Sequence, residues 1–173
     1  MKTSLPPTSP EYFEKFSNNP VEIKPFNPKS KDIARKYIEI IQKLLLGYEV
    51  LIVHRGSTAF GIAGKGDVEI GVYPNTDNWN LVIDKLKNIF GEPNNIEEDY
   101  VRFNTESEGF EIEIILQKGE TARVDVALTE YMMNHAKLLK EYENVKSKYS
   151  YSKREYQIQK DRFLRGVIDI IPE

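Results

Sequence analysis

Apolar residues at Ile33, Tyr37, Ile40, Ile41, Leu44 and Leu45 recur at helical spacing, which predicts an amphipathic helix with Ser30 as its cap and Gly47 as its stop. The run Val50-Leu-Ile-Val53 is continuous instead, so Glu49 to His54 reads as a strand buried on both faces, broken by Arg55-Gly-Ser-Thr58. A short turn or helix then leads to Gly66. From Asp67 to Val72 polar and apolar positions alternate: Val68, Ile70 and Val72 face a core, and Asp67 and Glu69 share the other face. Trp79, Val82, Ile83, Leu86 and Ile89 predict a second helix between the Asn75-Thr76 turn and Gly91. Tyr100 to Thr105 and Phe110 to Gln117 read as neighbouring strands joined through Glu106-Ser-Glu-Gly109. From Glu130 to Ile170 the pattern is largely helical. It breaks near Tyr149 to Ser152, with Ser152 capping a last helix lined by Tyr156, Phe163 and Val167.

Six of the nine prolines lie in the first 28 residues, so residues 1–28 are expected to form an extended arm with little regular structure, and residues 29–173 one domain. A chain of 173 residues suits a single core. Mean hydropathy is −0.51, no apolar run approaches the length of a membrane span, and the first twenty residues have no signal-peptide core, so a cytoplasmic protein is expected. With no cysteine, disulfides, thiol catalysis and cysteine metal sites are excluded. Only His54 and His135 offer imidazole, so a metal would be held mainly by carboxylates, which points to a hard ion such as magnesium.

Charge is unevenly divided. Asp67 to Glu113 carries 12 acidic and 3 basic side chains, whereas Lys137 to Arg165 carries 9 basic and 4 acidic. Such asymmetry suits carboxylates that hold cations facing a basic wall that attracts an anion; two solvated faces give the same pattern.

The glycine-rich stretch Gly61 to Gly66 is not a Walker loop, which needs glycine where Ala59 stands and Ser or Thr where Gly66 stands. Gly56-Ser57 follows a strand directly, and its backbone amides and hydroxyl suit a phosphate, although an ordinary strand-ending turn has the same residues. Downstream, Asp67-x-Glu69 places two carboxylates on one strand face, the arrangement by which metal-dependent nucleotidyl transfer holds magnesium against triphosphate oxygens. A third acid could complete a two-metal site and deprotonate an acceptor hydroxyl; Glu113 is the candidate, with Glu111 in reserve and Asp125 the rival. His54 and Lys65 are further phosphate candidates, though a structural histidine and a solvated lysine would look alike. The lysines and arginines between Lys146 and Arg165, interleaved with Tyr149, Tyr151 and Tyr156, read as a nucleotide or nucleic-acid surface or as the wet face of amphipathic helices.

These residues resemble the GrpB-like proteins, a branch of the nucleotidyltransferase superfamily. Val21-Glu-Ile-Lys-Pro-Phe-Asn-Pro28 resembles the family's opening segment, and Val53-His-Arg-Gly-Ser-Thr-Ala59, continued by Gly61 to Lys65, its His-x-Gly-Ser-Thr core. His135 to Lys146 resembles its Glu-Tyr-x-x-x-Lys helix, and Arg154 to Phe163 its Arg-Glu-x-Tyr-type helix. The proline usual before Gly61 and the one usual after Lys65 are absent, as is a tryptophan after the opening segment. Members of the branch often carry a single Asp where this chain has Glu69, an apolar residue in place of Asp67, and His-x-His in place of Glu111-Ile-Glu113. The acids here are thus similar to the wider superfamily's Asp-x-Asp/Glu plus third-acid pattern. The resemblance also places Thr121 to Tyr131 on a helix and Glu111 to Ile114 on a strand, which favours Glu113 over Asp125.

The resemblance implies an α/β (α+β) fold: a nucleotidyltransferase-like mixed sheet flanked by helices, with a C-terminal helical region. It implies magnesium- or manganese-dependent transfer of a nucleotidyl group from a nucleoside triphosphate to an acceptor, RNA among the candidates. Asp67, Glu69 and Glu113 would bind metal and carry catalysis, and Gly56, Ser57, His54, Lys65, Lys146 and Lys160 would bind nucleotide phosphate. The other reading is a non-catalytic nucleotide-, RNA- or protein-binding module of the same fold.

Overall fold

The computed structural model describes residues 1–172. Its centre is one mixed sheet of β1 (Val50–Arg55), β2 (Val68–Pro74), β3 (Asn95–Ile96), β4 (Tyr100–Ser107) and β5 (Phe110–Gln117), in the order β1-β2-β5-β4-β3. Only β2 and β5 run parallel; the other neighbours are antiparallel. β4 and β5 form a hairpin whose two turn residues, Glu108 and Gly109, have φ of 52° and 82°, the paired positive values that match the twist of the flanking strands.

Among the described residues seven α-helices surround the sheet: α1 (Pro10–Glu14), α2 (Lys29–Leu44), α3 (Gly56–Phe60), α4 (Trp79–Phe90), α5 (Gly119–Met133), α6 (Ala136–Lys148) and α7 (Lys153–Ile170). α2 and α4 cover one sheet face. There Val68, Ile70, Val72, Ile112, Ile114, Leu116, Val101 and Phe103 meet Ile33, Ile41, Val82 and Leu86, all buried. Alternation along each strand therefore sends the residues between them to the opposite face. A smaller cluster of Met132, Tyr142 and Val167 ties α5, α6 and α7 together. No helix among the described residues is long and apolar enough to cross a membrane.

Several expectations are corrected. Ser30 does not cap α2: it lies inside the helix and donates its hydroxyl to Asn27 O at 2.7 Å, while Asn27 Oδ1 accepts from the Lys29 amide. β1 is an edge strand and not buried on both faces, since only β2 pairs with it and Leu51 is 48 % exposed. Helix begins at Gly119 and not near Glu130, where periodicity placed its start; α5 covers the Thr121 to Tyr131 helix that the resemblance implied. The proline-rich arm contains α1, capped by Ser9, and Lys24 forms a β-bridge with Gly64. The arm also supplies acceptors to the last helix, Lys153 and Arg154 donating their amides to Asn19 O and Ser17 O.

Candidate functional site

Strand register builds the site. Arg55 on β1 pairs with Glu69 on β2, Glu69 with Glu113 on β5, and Glu113 with Asn104 on β4. The next row, His54, Ile70, Ile114 and Phe103, faces the α2–α4 core. One row is thus polar and open to the far face, and its neighbour is apolar and closed. Asp67, just ahead of β2, joins the polar row: Asp67, Glu69 and Glu113 each bring a carboxylate oxygen within 4.8 Å of the others. Glu111 lies on the same strand face but is exposed and accepts from Asn104 Nδ2 at 3.1 Å. Asp125 is on α5 and is engaged by Arg55 at 2.5 Å and by the Tyr73 hydroxyl.

Three cations attend the acids. Lys65 meets Asp67 at 2.8 Å, Arg55 meets Glu69 at 3.2 Å, and Arg102 stands more loosely from Glu113 at 3.7 Å. Burial and then the negative charge of Glu69 push the Glu113 carboxyl upward, against the pull of Lys65. Asp67 is held below its usual range: burial works against its charge, but the attraction of Lys65 and its hydrogen bond prevail. Lys65 rises for the matching reason, its pairing with Asp67 outweighing burial. Three converging hard oxygens, one of them disfavoured as an anion by its neighbours, fit a hard divalent cation such as magnesium or manganese.

Beside the acids lies the Gly56-Ser57 turn. Gly56 has φ of 75°, and a Cβ on it would lie 2.9 Å from Glu69 Cδ, so glycine answers both a backbone and a space requirement. Lys146, only 1 % exposed, reaches from α6 to donate to Ser57 Oγ at 2.5 Å and to Ala63 O. Gly64 permits this approach, because a Cβ there would stand 2.8 Å from Ser57 Cβ and 3.1 Å from the ammonium. Burial first, and Lys160 next, lower Lys146 to about 8. Since Ser57 accepts from Lys146, its own hydroxyl proton is available to donate elsewhere.

The remaining candidates divide. Lys160 lines a small cavity of about 60 Å³ with Arg55, Gly56, Ser57 and Glu69. Lys146 is enclosed against Ser57 and is not part of an exposed basic wall. His54 is on the core-side row, away from the carboxylates, and its Nε2 lies 3.0 Å from Thr58 Oγ1. Thr58 donates to Asp67 O at 3.0 Å, so it accepts from a neutral imidazole; burial lowers His54 to about 4, consistent with that form. The basic C-terminal run is partly committed as well: Arg154 bonds Phe16 O and Glu14 O, and Arg165 bonds Asp161, Pro6 O and Thr8.

Arg102, Arg55, Tyr73 and Asp125 have site contacts that sequence reading did not assign. The alternation Tyr100, Arg102, Asn104 against Val101 and Phe103 carried the signal for Arg102. The Arg55–Asp125 pair carried none, because seventy positions separate its members.

The sequence profile described as GrpB protein matches residues 20–169. No curated protein sequence matches the chain. Among solved structures, the chain is similar to the GLD-2/RNP-8 complex, with 12% identity over 91% of this chain and 62% of that one and a TM-score of 0.56. A cytoplasmic RNA terminal U-transferase is similar at 13% identity, over 79% of this chain and 43% of that one, with a TM-score of 0.52. The Cid1 poly(U) polymerase with magnesium and 3′-dATP bound is similar at 14% identity, over 79% and 46%, with a TM-score of 0.50. The chain thus spans less than two thirds of each of these structures. The likeness is one of fold: a nucleotidyltransferase-like mixed sheet flanked by helices.

Proposed function

The chain belongs to the GrpB family, and from that membership we propose that it is a divalent-metal-dependent nucleotidyltransferase that moves a nucleotidyl group from a nucleoside triphosphate to a hydroxyl-bearing acceptor. The observation that carries this reading is the convergence of Asp67, just ahead of β2, with Glu69 on β2 and Glu113 on the adjacent β5, beside the Gly56-Ser57 turn. Magnesium or manganese held by these carboxylates would supply positive charge against the triphosphate oxygens. The Gly56 and Ser57 amides and the free Ser57 hydroxyl proton would hold a phosphate, and Lys160, which lines the same small cavity, would add charge. Glu113, whose carboxyl is raised, is suited to take the proton of the acceptor hydroxyl. The acceptor oxygen forms a bond to the α-phosphorus, the bond from that phosphorus to the bridging oxygen breaks, and pyrophosphate leaves. Lys146 is a positioning residue that fixes Ser57 and does not touch the nucleotide.

The test is transfer of label from α-³²P nucleoside triphosphates to pooled RNA, protein and small hydroxyl acceptors, together with calorimetry of nucleotide binding with and without magnesium. Metal-dependent transfer and affinity are expected, both lost in Asp67→Asn with the fold retained. Equal nucleotide affinity with and without metal in the native chain overturns the assignment.

A further inference from the structure

A second concavity adjoins the carboxylates. A cavity of about 590 Å³ lies between the arm, the tip of the β4–β5 hairpin and α3. Its apolar lining is Pro25, Phe26, Pro28, Ile62 and Phe110, with Lys24, Asn27, Glu108 and the buried Ser30 and Thr58 as polar members. A second cavity of about 260 Å³ shares Lys24, Gly66, Gly109 and Phe110 with it and reaches Lys65, Asp67 and Glu111. The two cavities therefore meet at these four residues, and the smaller one borders Asp67, one of the three converging acids. The chamber is built by distant parts of the chain: the Lys24–Gly64 bridge joins arm to loop, and a Lys29–Glu108 ion pair at 3.1 Å ties the start of α2 to the hairpin turn.

We propose that this chamber is the acceptor pocket, and that the acceptor is a small molecule with a planar apolar ring and a hydroxyl group. The proposal rests on the nucleotidyltransferase reading for the reaction, though not for the binding. Volume and lining select the ligand class: a few hundred cubic ångströms walled by two phenyl rings, two prolines and an isoleucine fit a compact ring compound. The chamber lining holds one cation, Lys24, and one anion, Glu108, so it offers an extended polyanion no net positive charge, whereas an uncharged ring needs none. The nucleotide-side candidates Gly56, Ser57 and Lys160 line a different cavity, which leaves the chamber for the second substrate. With the ring between the arm and Phe110, the hydroxyl would point into the narrower cavity toward Asp67, whose carboxylate lies within 4.8 Å of that of Glu113. Transfer onto it balances as written above, the proton passing to Glu113 and pyrophosphate leaving.

The probes are 4-fluorobenzyl alcohol and 5-fluoroindole-3-ethanol, observed by ¹⁹F NMR line broadening with the full chain and no nucleotide. Broadening by the native chain is expected. Phe110→Ala should weaken it at least tenfold, and so should Pro25→Trp, which fills the chamber from an exposed position should the core-side variant not fold. Lys43→Met, exposed on α2 and outside both cavities, should leave it unchanged. Absence of broadening by the native chain, or equal broadening by folded Phe110→Ala and Pro25→Trp, overturns the pocket. Pocket-dependent broadening combined with label transfer to either probe supports the whole proposal. Pocket-dependent broadening without metal-dependent nucleotide affinity supports the ring site and overturns the transfer reading, so the two failures are distinguishable.

Discussion

Glu69 on β2 stands directly opposite Glu113 on β5, its parallel neighbour, so two carboxylates occupy one sheet face at the same register. Apolar packing of the adjacent row enforces this. Ile70 and Ile114 pair in the core, and a one-residue slip would turn them outward together with the rest of the face. The fold thus holds like charges together that would separate in solution, an arrangement that the proposed divalent cation would relieve.

Removing one charge should release the other. In Glu69→Gln the carboxyl of Glu113 should titrate lower than in the native chain, because burial remains but the neighbouring anion is gone. Carboxyl ¹³C chemical shifts followed against pH measure this. An unchanged or higher midpoint would show that burial alone raises Glu113.

Lys65 holds a cation's place beside Asp67 at 2.8 Å. Lys65→Met should therefore tighten magnesium binding, by roughly two- to fivefold for a partly exposed pair, with a larger effect at low salt. Calorimetric titration with magnesium alone at two ionic strengths provides the comparison. Weaker binding in the variant would mean that Lys65 helps to order the acids and does not compete with the metal.

Lys146 predicts a pH dependence of stability. Its folded value of about 8 lies below that of an exposed lysine, so between pH 8 and about 10 the unfolded chain binds more protons than the folded one. Stability from this group therefore rises with pH through that window, at a slope of up to about 1.4 kcal/mol per unit. Denaturant melts of the native chain and of Lys146→Met at pH 7.5 and 9.5 should differ by this rise, present in the first and missing in the second. Parallel profiles would defeat the argument.

Asp125 anchors α5 to the sheet through Arg55 and the Tyr73 hydroxyl. Asp125→Ala leaves a largely buried guanidinium with one fewer anion and a phenol without its acceptor, so a loss of about 3 kcal/mol is expected by denaturant melting. Magnesium affinity in the folded variant should persist, because Asp125 is not one of the converging acids. Loss of metal binding with stability intact would move Asp125 into the site.

Local periodicity alone determined much of this molecule. The alternation Asp67, Glu69 against Val68, Ile70 is a property of consecutive residues, and it placed two acids on one face before any tertiary contact was considered. The same holds for Glu111 and Glu113, for the hairpin turn, and for the apolar stripes of α2 and α4. Motif resemblance added the family and the mixed sheet. What tertiary structure decided are relationships between distant positions. Register, not periodicity, brings Glu113 rather than Glu111 or Asp125 to Glu69, and it is set by packing β2 and β5 against helices remote in sequence. Edge position exposes Leu51 in a run that reads as fully buried. Lys146, part of a charge run in the sequence, is enclosed because Gly64 leaves room for its ammonium beside Ser57. A side chain's periodic face is written in its neighbours along the chain, whereas its burial and its partner depend on which other segment the collapsing core brings against it.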